Sequence, residues 1–301
     1  MKLSDIPGFR VGQAQDRAAM TGCTVVLCEA GAVCGVDVRG GSPVTRDTDA
    51  LHPVMNRKAT HAVLLSGGSS FGLDAAGGVT RFLEARGIGR NVGVTVVPNV
   101  AAAVLFDLQR GRWDVRPDAE MGWAACENAF SGAPFARGLS GAGTGCAVGK
   151  SRGMAFAMDG GVGSAVFCHG ELTVGAVAAV NCVGDVVKNG RIVAGALADD
   201  GSFADSEQIL LAEYQLGKDF FADNTVLACV ITNARLNKSQ AAKLAQCGQN
   251  GIARCVRPAH SVYDGDTVFA LCSGAAETSL DAVCILAARA VEAAVLDAVG
   301  G

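Results

Sequence analysis

Hydrophobic residues in this chain form short runs rich in Val, Ala, Leu and Ile, which alternate with segments whose apolar residues recur at helical spacing. The short runs predict strands at residues 21–28, 32–39, 62–65, 92–97, 162–166, 173–180 and 266–272. Because only residues 29–31 separate the first two, these predict an opening hairpin. Helical spacing predicts helices at residues 73–83, 118–128, 238–247 and 277–299. The alternation favours an α/β fold with the strands in the central layers.

One strand-like run, residues 225–232, begins directly after the polar residues Asp223 and Asn224. Its first residue, Thr225, suits the start of a buried strand, and Asn is common in the turn before one. A second interpretation is chemical. If the peptide bond between Asn224 and Thr225 were cut, Thr225 would carry a hydroxyl and a free α-amine, whose pKa of about 7.7–8.0 would let it act as the base that a weak Thr nucleophile needs. Residues 199–223 then predict a surface linker that delivers this bond to the site.

Two further polar residues follow glycine-rich or apolar segments. Lys150 ends the glycine-rich stretch 138–149, and Asn181 ends the predicted strand 173–180. Lys150 is either a solvated loop lysine or a site residue. Asn181 is either a turn former or an amide donor that could stabilise an oxyanion.

Asp264 and Asp266 lie two residues apart at the start of a predicted strand, so their side chains are expected on the same side. Two carboxylates on one face repel each other unless a cation lies between them. That cation could be Lys150 or the free amine of a processed Thr225. The alternatives are a plain Asp-Gly turn or a calcium site, although no other oxygen ligands cluster nearby in sequence.

The Gly/Ser turn at residues 66–72 joins a predicted strand to a predicted helix. Its amides, at Gly67, Gly68 and Ser69, could hold a substrate carbonyl or carboxylate, or the turn could simply require small residues. The spacing of its glycines matches neither dinucleotide-binding nor P-loop patterns, which disfavours nucleotide binding.

Composition narrows the possible partners. The net charge is −4 without a basic cluster, which argues against nucleic acid or an anionic membrane, and no run reaches the roughly 18 apolar residues of a membrane span. The twelve cysteines are scattered and form no CxxC pair, and the chain starts with a polar segment, so we expect free thiols in the cytoplasm. The four histidines are isolated in sequence, so we expect no metal and no other cofactor.

Five segments, taken in order, resemble the self-processing family of L-aminopeptidase/D-esterases, β-peptidyl aminopeptidases and nylon-oligomer hydrolases. They are residues 6–12 (IPGFRVG), 35–43 (GVDVRGGSP), 65–76 (LSGGSSFGLDAA), 141–145 (GAGTG) and 264–269 (DGDTVF). The resemblance implies a four-layer αββα sandwich of the N-terminal-nucleophile-hydrolase type, formed by one domain over residues 1–301. It also implies self-cleavage into fragments 1–224 and 225–301, and tetramers of the processed pairs.

By the same resemblance, Thr225 is the nucleophile, Lys150, Asp264 and Asp266 orient its amine and hydroxyl, and Asn181 stabilises the oxyanion. The implied substrates are short peptides, amino-acid amides or esters, and ω-amino-acid oligomers. One position departs from the family, because Phe106 aligns where relatives carry a tyrosine hydroxyl near the oxyanion. Two other functions stay open: an acyltransferase of the ornithine acetyltransferase kind, and an unprocessed protein that binds a small molecule.

Overall fold

A computed structural model describes residues 2–213 and 224–300. Its strands are β1 (Arg10–Asp16), β2 (Thr21–Val38), β3 (Thr45–Arg46), β4 (Thr60–Ser66), β5 (Arg90–Asn91), β6 (Val96–Val97), β7 (Val100–Val104), β8 (Ala147–Val148), β9 (Met158–Asp159), β10 (Gly161–His169), β11 (Leu172–Asn181), β12 (Asp185–Lys188), β13 (Arg191–Ala194), β14 (Thr225–Ala234), β15 (Val256–Arg257) and β16 (Thr267–Ala276). The α-helices are α1 (Ala75–Ala85), α2 (Ala119–Ser131), α3 (Ser206–Ala212), α4 (Lys238–Cys255) and α5 (Leu280–Ala298). Within these ranges, no helix combines the length and the apolar character needed to cross a bilayer.

The long strand β2 links two sheets. Its first half pairs with β1 and β4, and its second half pairs with β16. Along the hydrogen-bonded path the strand order is β10, β11, β14, β16, β2, β4, β7 and β3. In this order β14 and β16 are parallel neighbours, and β11 is antiparallel to β14.

The hairpin predicted around residues 29–31 is wrong. Gly31 has a φ of +78°, and the β2–β4 register shifts between Leu27 and Ala32, so the chain bends here and continues in the same direction. The physical reason is that each half of β2 has its own partner strands, and the bend carries β2 from one sheet into the other. The hairpin that does open the chain joins β1 to β2.

Three separate apolar cores define four layers. One lies between α1 and α2 and the sheet of β1, β4 and β7, and it includes Phe82, Leu64 and Ala125. The second, with Leu65 and Phe269, lies between the two sheets. The third lies between α4 and α5 and the sheet of β11, β14 and β16, and it includes Val230, Leu244 and Val291. The α/β class and the αββα layering expected from the resemblance are therefore confirmed.

Two element boundaries differ from the prediction for local reasons. Helix α4 continues eight residues past the predicted end at Cys247, because it packs closely on α5: a Cβ at Gly251 would lie 2.5 Å from the carbonyl oxygen of Ala288. The glycines that permit this approach weaken the helical signal in the sequence. The predicted strand 92–97 is instead the β5–β6 hairpin, in which Val92 N–H donates to Thr95 O at 3.0 Å.

Candidate active site

The Asn224–Thr225 junction lies at the buried start of β14. Thr225 begins the strand as predicted, and both residues are at most 2% exposed. Thr225 lies opposite Asn181 on β11, and Asn224 forms a parallel bridge with Asp264, just before β16. Pairing among β11, β14 and the segment before β16 therefore brings these four sequence-predicted residues together. Of the predicted linker, residues 199–213 are described and include α3, whereas residues 214–223 lie outside the described residues.

The hydroxyl of Thr225 lies against the carbonyl that precedes it. Its Oγ1 donates a short hydrogen bond to Asn224 O. The backbone N–H of Gly265 donates to the same carbonyl oxygen at 2.7 Å and also approaches Thr225 Oγ1 at 3.2 Å. The hydroxyl of Thr225, the carbonyl of the preceding peptide bond and a backbone donor to that carbonyl are thus brought together by the pairing of these segments.

Gly265 is a site residue that sequence reasoning passed over. A Cβ at this position would lie 2.8 Å from Thr225 Oγ1 and 2.9 Å from Ser42 O, closer than real Cβ contacts. A side chain here would therefore displace the hydroxyl or the backbone that donates to it. The only available signal was its position between Asp264 and Asp266.

Asp266 ties β16 to the start of β14. Its Oδ1 accepts from the backbone N–H of Val226 at 2.6 Å, and its Oδ2 accepts from His260 N–H at 3.0 Å and lies 2.8 Å from His260 Nδ1. Asp266 therefore holds the backbone one residue after the candidate nucleophile. His260, expected to be isolated, belongs to this site through Asp266.

Asp264 is buried near a second carboxylate, which disfavours its charged form. Its Oδ2 accepts from the hydroxyl and the backbone N–H of Ser261, while its buried Oδ1 has no hydrogen-bond partner among the described residues. Burial, followed by the charge of Asp266, raises the pKa of Asp264 to about 7, against the opposing effects of Ser261 and Lys150. This carboxyl can therefore accept or release a proton near neutral pH.

Lys150 is buried, at 6% exposure, so the interpretation as a solvated loop lysine is wrong. Its Nζ donates to Asn181 O at 2.9 Å, and its charge lowers the pKa of Asp264. Asn181 is held at both ends of its amide: Oδ1 accepts from Ala147 N–H at 3.0 Å, and Nδ2 donates to Phe106 O at 2.8 Å. The site is therefore a buried cluster that contains one cation and two carboxylates, and the charge of Lys150 acts on Asp264.

The profile of peptidase family S58 matches residues 2–300. The chain belongs to peptidase family S58. It is 40% identical to an uncharacterized aminopeptidase of Mycobacterium leprae over 93% of this chain and 80% of that protein. It is also 33% identical to a 6-aminohexanoate-oligomer endohydrolase of Kocuria sp., over 89% of this chain and 73% of that one. Family membership identifies the chain as a peptidase-type hydrolase.

Solved structures support the fold independently of sequence. The L-aminopeptidase D-Ala-esterase/amidase of Ochrobactrum anthropi, whose structure is described as a variant of the Ntn-hydrolase fold, superimposes with a TM-score of 0.71 at 18% identity. A β-aminopeptidase of Burkholderia sp. gives 0.68 at 22% identity. Each alignment covers 99% of this chain and 85% of the solved one. The family S58 chain therefore shares this sandwich.

In this family member, the turn at residues 66–72 is closed by internal hydrogen bonds. The N–H groups of Gly67, Gly68 and Ser69 donate to Gly22 O at 2.9 Å, to Asp107 Oδ1 at 2.7 Å and to Leu105 O at 2.9 Å. These amides have acceptors within the chain, so a substrate-binding role for the three residues stays a prediction. Sequence reasoning missed Asp107, whose other oxygen accepts from Thr21 Oγ1 at 2.7 Å.

A narrow cavity opens beside this cluster. It is lined by Phe106, Asp107, Gln109, Arg110, Gly145, Lys150, Met154 and Asn181. Phe106 lies on this lining and contacts Asn181 through its backbone carbonyl, and its role in the site stays a prediction. Within residues 2–213 and 224–300, no group of three or more His, Cys, Asp or Glu side chains is arranged to hold a metal ion.

Proposed function

We propose that this chain is a self-processing N-terminal-threonine amidohydrolase that cleaves its own Asn224–Thr225 bond. The observation that carries the proposal is the contact of Thr225 Oγ1 with Asn224 O, whose oxygen also accepts the N–H of Gly265. A carbonyl that already receives a donor is prepared to develop negative charge when it is attacked. Residues 1–224 and 225–301 then remain one domain, because β14 stays paired with β11 and β16.

Self-cleavage proceeds by an N-to-O acyl shift. Thr225 Oγ1 attacks the carbonyl carbon of Asn224 and gives its proton to a base, and Asp264 has the pKa suited to that role. The bond from that carbon to the nitrogen of Thr225 breaks, and the nitrogen takes up a proton. Water hydrolyses the resulting ester, which leaves Asn224 with a carboxylate and Thr225 with a free amine and a free hydroxyl.

The processed enzyme repeats this chemistry on a substrate. The α-amine of Thr225 takes the proton of its hydroxyl, and the oxygen attacks the amide or ester carbonyl of the substrate. Lys150, Asp264 and Asp266 set the orientation and charge of the amine, and the Asn181 amide supports the oxyanion. The leaving amine departs with a proton, and water clears the acyl group from Thr225.

The substrates we propose are short peptides, amino-acid amides or esters, and ω-amino-acid oligomers. The names of the aminopeptidase and 6-aminohexanoate-oligomer hydrolase relatives support this range. Buried carboxylates beside the nucleophile suit a substrate with a free amine. We place the enzyme in the cytoplasm, since none of its twelve cysteines forms a disulfide within the part of the chain that the structure describes, and expect tetramers of processed pairs without nucleic-acid or membrane partners.

The test is hydrolysis of amino-acid p-nitroanilides and 6-aminohexanoate oligomers by the purified chain. Thr225→Ala is expected to abolish hydrolysis, whereas Thr225→Ser, which keeps a hydroxyl, is expected to retain part of it. Adding ornithine to an acyl-donor substrate separates hydrolysis from transfer: accumulation of acyl-ornithine in place of the free acid would contradict the hydrolase assignment.

A further inference from the structure

A second pocket lies at the opposite end of the sheet from Thr225. It opens where β4 and β7 begin, whereas Phe106 and the candidate active site follow the end of β7. Its volume is about 660 Å³, and its lining residues are Asn56, Arg57, Lys58, Ala59, His61, Gly89, Arg90 and Asn99. That volume is in the range of pockets that hold small organic molecules.

The charged side chains that line this pocket all have one sign. Arg57, Lys58 and Arg90 contribute positive charge, and among the described residues no Asp or Glu lines the pocket. Arg57 pairs with Asp47 through Nη1 at 2.9 Å, but Lys58 and Arg90 form no ion pair with any described residue. In a chain with a net charge of −4, three cations around one cavity create a local positive potential.

A buried histidine adds a fixed hydrogen-bond donor. His61 is only 5% exposed, and its Nδ1 accepts the backbone N–H of Asn99 at 3.1 Å. Since Nδ1 is an acceptor, the ring hydrogen lies on Nε2, which makes no hydrogen bond to any described residue. Burial and the charge of Arg57 lower the pKa of His61, which favours the neutral ring. The wall of the pocket therefore presents an N–H that has no acceptor among the described residues.

The wall that carries two of the cations is anchored. Lys238, at the start of α4, donates from Nζ to Ala50 O at 3.1 Å and to Met55 O at 2.8 Å, which holds the loop just before Arg57 and Lys58. Asn99 Nδ2 donates to Ala59 O at 2.7 Å and closes the other side. The positive side chains are thus presented by a preformed backbone.

We propose that this pocket binds a small organic anion that carries carboxylate or phosphate groups. Lys58 and Arg90 supply unpaired charge for its oxygens, and the Nε2–H of His61 supplies the donor that orients one of them. A neutral donor combined with cations disfavours a metal ion or an amine. The pocket is separate from the catalytic cluster, so the proposal goes beyond the hydrolase activity.

The experiment is isothermal titration of the purified full chain with inorganic pyrophosphate and with citrate at constant ionic strength. Saturable binding of at least one probe is expected, and Lys58→Gln with Arg90→Gln is expected to weaken it by at least about tenfold. The matched control is Lys188→Gln with Arg191→Gln, which removes two exposed charges from the β12–β13 hairpin. It is expected to change affinity by less than about twofold, because distant charges act only through a screened field.

The two probes also separate the chemical classes, since pyrophosphate binding alone indicates phosphate ligands and citrate binding alone indicates carboxylates. Absence of saturable binding to both probes, or an equal loss in the control variant, would overturn the proposal. Neither outcome depends on hydrolysis at Thr225.

Discussion

The two ends of the β4–β7 and β14–β16 strands differ in how far their charged side chains are buried and paired. At the Thr225 end, Asp264, Asp266 and Lys150 are at most 6% exposed and have specific partners inside the chain. At the other end, Lys58 and Arg90 are exposed and unpaired around an open cavity. Burying charge is costly unless partners compensate it, and at the Thr225 end the compensating groups surround the Asn224–Thr225 peptide bond. At the other end, the exposed charges surround the space in which we propose that an anion binds.

The largest expected effect separates the two ends directly. Thr225→Ala removes the nucleophile and is expected to stop self-cleavage and to lower kcat/KM by at least about 10⁴-fold. Lys58→Gln with Arg90→Gln is expected to cleave and hydrolyse as the wild type does. Gel mobility under denaturing conditions and steady-state kinetics check both variants. Equal losses of self-cleavage and of kcat/KM in both variants would contradict the assignment of catalysis to the Thr225 end alone.

Gly265→Ala is expected to have the next largest effect. The new methyl group would lie 2.8 Å from Thr225 Oγ1, so it must displace either the hydroxyl or the N–H that donates to Asn224 O. Loss of such a donor lowers rates by about 10²–10³-fold, and self-cleavage followed over time should slow by that amount.

The control for Gly265 is Gly77→Ala in α1, where an added Cβ meets no atom of the described residues within 4 Å. This control is expected to process at the wild-type rate and to be slightly more stable, since Ala favours a helix over Gly. If Gly265→Ala also processed at the wild-type rate, the backbone donor would have no role.

Asp266→Asn tests whether the carboxylate positions the start of β14. The amide of Asn cannot accept from both Val226 N–H and His260, so one contact is lost. A hydrogen bond to a charged group contributes about 1.5–3 kcal/mol, and we expect self-cleavage to slow by roughly 10–100-fold. His260→Ala should give a smaller loss of the same kind. Urea unfolding of each variant distinguishes a positioning effect from a loss of fold.

The smallest expected effect is a change in the pH dependence of stability. Because the folded pKa of Asp264 is raised to about 7, the unfolded chain loses this proton first, and the free energy of unfolding should fall as pH rises from about 4 to 7. Asp264→Asn should remove most of that decline. Measuring both chains with Thr225→Ala keeps the α-amine from titrating. An unchanged slope would mean that Asp264 ionises normally.

The sequence predicted those structural features that depend on residues close together in the chain. Residues 226–231 are continuously apolar, so the start of β14 at Thr225 was predictable, and the family motifs predicted the layer order. The β2 bend was not predictable, because Gly31 suits a reversal as well as a bend, and only the partner strands decide.

The parts of the site that the sequence did not reveal depend on non-local pairing. Gly265 and His260 reach the Thr225 region only because β14 and β16 are parallel neighbours, with about 40 residues between their starts. A backbone N–H also leaves no signature in the residue type. Asp107 was overlooked because its partners, Thr21 and Gly68, come from separate segments of the chain.

The most direct test of the central claim is the mass of the purified chain under denaturing conditions. Self-cleavage predicts two fragments that meet between Asn224 and Thr225, and Thr225→Ala should give one intact chain of 30.5 kDa. A wild-type chain that hydrolyses amides while remaining intact at 30.5 kDa would contradict the account.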